Sequence, residues 1–134
     1  MEKIQIKNPS DALPALKRWQ KQRQENFIVI TLDGAHQIIK VHHVTKGLVN
    51  KTIVHPREVF YPAIKDFSTA IMCVHNHPSG SVEPSPEDDE ITDRICMAGS
   101  ILGIRVLDHI IITRFGDYYS YRSNGRISDY DEYG

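Results

Sequence analysis

Cysteine is scarce in this 134-residue chain: Cys73 and Cys96 are the two present, and both sit in apolar stretches. A disulfide framework is therefore not expected, and a reducing, cytoplasmic compartment with free buried thiols is the simplest setting. Long hydrophobic runs are missing as well. The longest, such as Ala70–Val74 and Ile110–Ile112, are far too short to cross a bilayer. The opening residues, MEKIQIKNPS, contain no apolar segment of the kind that marks a secretory signal. Aromatics make up only 8% of the residues, and no strong excess of basic charge accompanies them. Direct nucleic-acid binding by this chain alone is not expected on that basis. No HExxH occurs, so thermolysin-like proteolysis is excluded, and the deaminase signature H-x-E…P-C-x-x-C is absent too.

What remains is the make-up of an ordinary soluble domain, with 40% apolar and 25% charged residues. The net charge of −1 conceals an asymmetry. Residues 1–65 hold 11 Lys/Arg against 5 Asp/Glu, and residues 66–134 hold 5 against 12. The basic group Lys17, Arg18, Lys21 and Arg23 reads as a solvated helix face. No repeat or linker divides the chain, so one domain is expected over 1–125, with a loose polar tail over 126–134.

Hydrophobic periodicity alternates between helix and strand. Ser10 or Asp11 can cap a helix running to about Arg23, with Leu13, Leu16 and Trp19 at helical spacing. Phe27–Leu32 reads as a strand, and Asp33-Gly34 predicts a hairpin turn into Gln37–Val44. A short strand is expected at Thr52–Val54, then a helix from His55-Pro56 to about Asp66 in which Pro62 is a local conflict. Thr69–His75 reads as a buried strand and Asn76–Pro84 as a loop. Ser85-Pro86-Glu87-Asp88 opens a helix ending near Gly99 or Gly103. Ile104–Thr113 and Asp117–Arg122 close the pattern as strands. The fold class is α/β (α+β), a mixed β-sheet flanked by helices.

The stretch that carries chemistry is VHNHPSGSVEPSPEDDEIT, Val74 to Thr92. Side chains alternate along a strand, so His75 and His77 share a face, roughly 6–7 Å apart at the backbone. Two imidazoles so placed can converge on one ion at about 2.0–2.1 Å. The following helix, with Ser85 at its cap and Asp88 in its first turn, can bring a carboxylate back to the strand tip. A His2Asp set would leave a fourth position for water. Ser85 and Asp88 equally resemble a capping box, in which they merely satisfy the helix start. Cys73 lies in register with the histidines but about 13 Å from His77 along an extended strand, which makes it a core thiol. His36, His42, His43 and His55 fall in turns, on sheet faces and at a helix start. Asp108-His109 interrupts an apolar strand, as a buried hydrogen bond or as a pair that orients a ligand.

On these residues the chain resembles the C-terminal domain of RadC-type proteins, a branch of the JAB/MPN superfamily. The superfamily's JAMM motif is an upstream glutamate followed by His-x-His-x7-Ser-x2-Asp, matched here by His75, His77, Ser85 and Asp88. The similarity extends through Glu25-Asn26-Phe27, Leu32-Asp33, His55-Pro56-Arg57-Glu58, Leu102-Gly103-Ile104 and Leu107-Asp108-His109, about residues 9–125. It implies a cytidine-deaminase-like fold and one Zn²⁺ held by His75, His77 and Asp88. It further implies Glu25 as the base and Ser85 as a donor to the tetrahedral intermediate. The activity implied is that of a zinc metallopeptidase or isopeptidase acting on a peptide or isopeptide-linked protein. Two departures stand out. Asn76 occupies the place between the histidines where the peptidases carry Ser or Thr, as it does in RadC-type members. The helix-hairpin-helix module that precedes this domain in full-length RadC proteins is not expected within these residues. A non-catalytic metal-binding accessory role in DNA repair or a mobile-element system is the alternative the resemblance leaves.

Overall fold

A computed structural model describes residues 3–128. Five strands form one sheet in the order β2-β1-β3-β4-β5. They are β1 (Asn26–Leu32), β2 (Ile38–Lys46), β3 (Ala70–Asn76), β4 (Arg105–Ile112) and β5 (Tyr118–Ser120). β3 and β4 run parallel, and the other pairs are antiparallel. The parallel pair requires a crossover, supplied by the longest helix of the chain. β1 and β3 are buried at every position because both faces of the sheet are covered. The mixed sheet expected from the sequence is thus the one observed.

One face of the sheet packs under α2 (Pro56–Lys65) and α3 (Pro86–Leu102), with Phe27, Val29, Ile71, Cys73, Phe60 and Ile95 at its centre. The other packs under the N-terminal segment through Leu16, Trp19, Ile28, Ile30, Met72 and Ile110. α3 ends where Gly103 adopts φ 73° and its N–H bonds the Gly99 carbonyl, a left-handed cap that glycine reaches without steric cost. In α2, Pro62 stays inside the helix, buried, and its carbonyl accepts from Asp66 N–H at the C-terminus.

Three local expectations are corrected. The N-terminal helix is a 3₁₀ stretch over Pro9–Leu16 followed by the single α-turn α1 (Lys17–Gln20), and it begins before Ser10. Pro14 is the reason, since it has no N–H to give and disfavours α geometry at Leu13. Asp11 lies inside this stretch, where its carboxylate accepts from the N–H groups of Lys7 and Asn8. Thr52–Val54 is a turn instead of a strand: Asn50 Oδ1 accepts from Thr52 N–H, Thr52 Oγ–H and Ile53 N–H. A local side-chain acceptor here outcompetes β propensity. Asp33-Gly34 opens a wider loop than a two-residue turn, held by Asp33 Oδ1 accepting from Ala35 and Gln37 N–H, with His36 at φ 58°. The segment expected as a loose tail is packed at its start. Arg126 pairs with Asp89 at 2.8 Å, and Ile127 joins the core under α3. The remainder of the tail, 129–134, lies outside the described residues.

The β3·β4 ladder carries one irregularity with consequences for function. Ile71 pairs with Val106 but Met72 pairs with Asp108, so Leu107 is an extra residue in β4. A bulge reverses the facing of everything beyond it. Asp108 therefore points to the N-terminal face, where Ser120 Oγ–H and the N–H groups of His109 and Arg122 donate to it. His109 points under α3, beside Cys73 and His75.

Candidate metal centre

β3 delivers His75 and His77 from its last turn of alternation onto the α3 face. The His77 backbone is still tied to the sheet, its N–H donating to Ile112 O at 2.9 Å. The chain then turns at Gly80, whose φ of 90° and N–H to the His77 carbonyl close a tight loop. α3 enters with its first turn against the strand tip. Ser85 N–H donates to Asp88 Oδ2 at 2.9 Å and Asp88 N–H donates to Ser85 Oγ at 3.1 Å. The capping box is thus real, and it does not exclude the other reading. The same Asp88 carboxylate lies 3.1 Å from His75 Nε2 and 3.1 Å from His77 Nε2, which are themselves 3.0 Å apart. Donor atoms on a tetrahedral zinc ion stand about 3.3 Å apart, so this triangle is nearly of the size one ion needs. Glu25, fifty residues before His75 in the chain and just ahead of β1, completes the group. Among the described residues, Glu25, His75, His77 and Asp88 bring ligand atoms within 4.8 Å of one another and could hold a metal ion.

The hydrogen bonds behind the histidines fix which ring nitrogen faces the site. Thr92 Oγ–H donates to the Asp88 carbonyl, leaving its oxygen to accept from His109 Nδ1–H. His109 Nε2 then carries a lone pair and accepts from His75 Nδ1–H at 2.8 Å. His77 Nδ1–H donates to Ser81 O at 2.8 Å. Both Nε2 atoms consequently present lone pairs to each other and to a carboxylate. Such a triangle is stable only around a cation, either a proton or a metal ion. Imidazoles whose far nitrogen donates to a fixed acceptor are the usual form of metal-ligating histidine. The residues fit a divalent ion.

Electrostatics point the same way. Burial keeps His75 below its ordinary pKa of 6.5 despite the pull of Asp88. Burial likewise keeps His109 neutral, well below that value, with repulsion from His75 adding to it. For His77, burial is outweighed by hydrogen bonds to Asp88 and Ser81, and its pKa is raised above 6.5. Burial works against the Asp88 carboxylate too, yet the two histidines hold it far below the usual carboxylate range. Without metal, the triangle therefore takes up its proton on His77 as the pH falls. Zinc must displace it, so affinity is expected to fall about tenfold per pH unit once the pH drops below the raised His77 pKa. Above that pKa the dependence flattens. Zinc dissociation constants measured by chelator competition from about pH 8 down to about pH 5.5 check this; a flat profile across the range would refute it.

His109 is the residue that sequence reasoning left undecided. Its ring stacks on Tyr121 at 4.9 Å and 8°, and meets the Phe27 edge at 5.6 Å. Asp108 serves the sheet corner on the opposite face, whereas His109 orients a candidate ligand. Replacing it by phenylalanine keeps the stack and removes the acceptor for His75 Nδ1–H. The His109→Phe protein is expected to bind zinc about 10- to 100-fold more weakly. Unchanged affinity in a competition titration would show that His75 does not depend on it.

Cys73 is a free core thiol that burial raises well above the ordinary value, and Cys96 is free and pushed up to about 11. His36 sits in the β1–β2 loop, His42 and His43 on β2, and His55 at the N-cap of α2. His42 also hydrogen-bonds Asp66 at 2.7 Å, away from the metal group. Asn76, between the two histidines, points to the opposite face. The centre opens into a cleft of about 930 Å³ walled by Glu25, Leu48, Val49, Pro78, Ser85 and Asp88.

A mixed sheet with helices on its faces, and a metal-type group where β3 meets the first turn of the crossover helix, define the JAB/MPN class of α+β domains. Within that class the chain belongs to the RadC-like JAB domain family, whose model matches residues 6–126. It is 47% identical over 126 residues to a UPF0758 protein of Methanospirillum hungatei, an alignment that takes in 92% of this chain and 56% of that protein. A UPF0758 protein of Trichlorobacter lovleyi is 50% identical over 103 residues, 77% of this chain and 44% of the relative. One from Staphylococcus haemolyticus is 48% identical over 112 residues, with 83% and 49% covered. The chain thus spans about half the length of these relatives. Among the described residues, no helix is long and apolar enough to cross a membrane.

Proposed function

We propose that this domain is a zinc-dependent hydrolase of the JAMM type that cleaves a peptide or isopeptide bond. The observation that carries the reading is the arrival of Glu25 beside the His75–His77–Asp88 triangle, from a segment fifty residues away in the chain. Glu25 lies partly exposed at the mouth of the cleft, where a carboxylate can serve a water at the open fourth position that a three-ligand set leaves. His75, His77 and Asp88 would hold the ion, and a mixed imidazole and carboxylate set suits zinc better than a hard cation. The ion would supply a Lewis acid and lower the pKa of a coordinated water to about 7. Glu25 takes the proton of the attacking water and passes it to the leaving nitrogen. Without a metal, burial raises the Glu25 pKa above 4.5, with His77 opposing and Asp88 adding to the shift. Ser85 Oγ already accepts from Asp88 N–H, so its own proton is free to donate to the developing oxyanion. Two free thiols, Cys73 buried and Cys96 partly buried, support a reducing, cytoplasmic setting.

The test is a screen of zinc-loaded protein against peptides and isopeptide-linked conjugates in ¹⁸O water, read by mass spectrometry. Label in one new carboxylate per cleaved bond, lost on chelation and restored by zinc, is the expected result. Stoichiometric zinc with no labelled product from any peptide or amide would favour the accessory role in DNA repair or mobile-element biology.

A further inference from the structure

β3 alternates, so the two histidines at its tip project under α3 while the residue between them projects to the other face. That residue, Asn76, is 1% exposed and contacts the segment bearing Glu25. Its Oδ1 accepts from Asn26 N–H at 2.7 Å, and its Nδ2 donates to Gln24 O at 2.9 Å. The two bonds grip the backbone immediately before and immediately after Glu25. The Glu25 carbonyl is held from outside by Gly47 N–H at 2.8 Å. Glu25 itself precedes β1 and has no ladder partner on β3, so the Asn76 carboxamide supplies the bonds that the sheet does not.

We infer that Asn76 is a positioning residue for Glu25: a single strand tip presents the metal ligands on one face and fixes the base relative to them from the other. This rests on the metal-hydrolase reading above. A carboxamide suits the task because it holds an acceptor atom and a donor atom in one fixed plane, matching the N–H and C=O that flank residue 25. A serine or threonine hydroxyl is too short to reach both. The arrangement couples the spacing between base and metal ligands to β3 itself.

The experiment is a double-mutant cycle on zinc affinity, which needs no substrate. Zinc dissociation constants are measured by chelator competition for the unaltered chain, Glu25→Gln, Asn76→Ala and the double variant. Glu25→Gln removes a charge beside the ion and is expected to weaken binding about tenfold. Asn76→Ala, which lets that charge wander, is expected to weaken it by about fivefold in the parent and to have no further effect in the Glu25→Gln background. Hydrogen exchange adds a direct readout: the Asn26 amide is expected to exchange at least about tenfold faster in Asn76→Ala, with Ile28 and Val29 unchanged. If Asn76→Ala does not fold, Asn76→Ser is carried through the same cycle under the same criteria. A penalty that survives in full in the Glu25→Gln background, or an Asn26 amide that stays protected, overturns the inference while leaving the metal site intact. A parent chain that binds no zinc overturns the proposed function, and this inference with it.

Discussion

Asp88→Ala is expected to abolish stoichiometric zinc binding, while Asp89→Ala, one residue on, retains one ion per chain. Asp88 is 2% exposed, with one carboxylate oxygen 3.1 Å from each histidine Nε2. Asp89 has turned a third of the way round the helix, where it accepts from Tyr121 O–H and pairs with Arg126, each at 2.8 Å. Removing a partner behind a ligand costs about 10- to 100-fold in affinity, and removing a ligand outright costs more. Asp88→Ala also deprives Ser85 N–H of its acceptor, a loss of about 1 kcal/mol at the helix start. Asp88→Asn separates the two effects, since the carboxamide can still accept that bond but is a poor ligand. Asp89→Ala should lower thermal stability instead, by about 1 kcal/mol, through the lost Tyr121 hydrogen bond, with the exposed Arg126 pair adding little. Metal analysis after dialysis, paired with thermal unfolding, reads both. Equal zinc retention by the two alanine variants would mean that the first turn of α3 does not face the strand tip.

The parts legible in the sequence are those governed by local pattern. The continuous apolar run Ala70–Val74 and the Ser-Pro-Glu-Asp cap place a strand tip and a helix start within one loop of each other. His75, His77 and Asp88 follow from that. Glu25 does not, since no spacing rule relates residues fifty apart, and only its resemblance to the family motif pointed to it. Asn76 stood out in sequence merely as a departure from Ser or Thr. Its role depends on β1 and β3 being antiparallel neighbours, so that the end of one meets the beginning of the other. His109 was hidden by the bulge at Leu107, because strict alternation cannot tell which member of Asp108-His109 faces α3. The misplaced elements share a cause as well. At Pro14 and at Asn50, one residue's backbone or side-chain chemistry overrides a propensity summed over its neighbours.

Glu25→Gln is expected to lower hydrolysis by about 10²- to 10⁴-fold at saturating zinc while the protein stays folded with one ion per chain. The substitution keeps the shape of the side chain and removes its capacity to carry a proton. Any residual rate then reflects binding and the metal group alone. The loss should fall on kcat, with KM little changed, because the proton moves in the transition state and not in the ground-state complex. An uncleaved substrate should therefore remain bound to the variant, which makes it a trap for identifying the physiological target by mass spectrometry. The pH profile of the unaltered protein supplies a second check. The Glu25 pKa is raised, so the carboxylate is protonated and idle below that value and becomes active as the pH climbs through it. Burial raises that pKa and a bound dication would lower it, so the check is an acid limb of kcat/KM that is present in the parent and missing from Glu25→Gln. Zinc loading must be held constant across the profile, since His77 would otherwise contribute an acid limb of its own by reclaiming its proton. A Glu25→Gln protein that cleaves substrate at the parent rate would remove the base from the mechanism, whatever metal the three ligands hold.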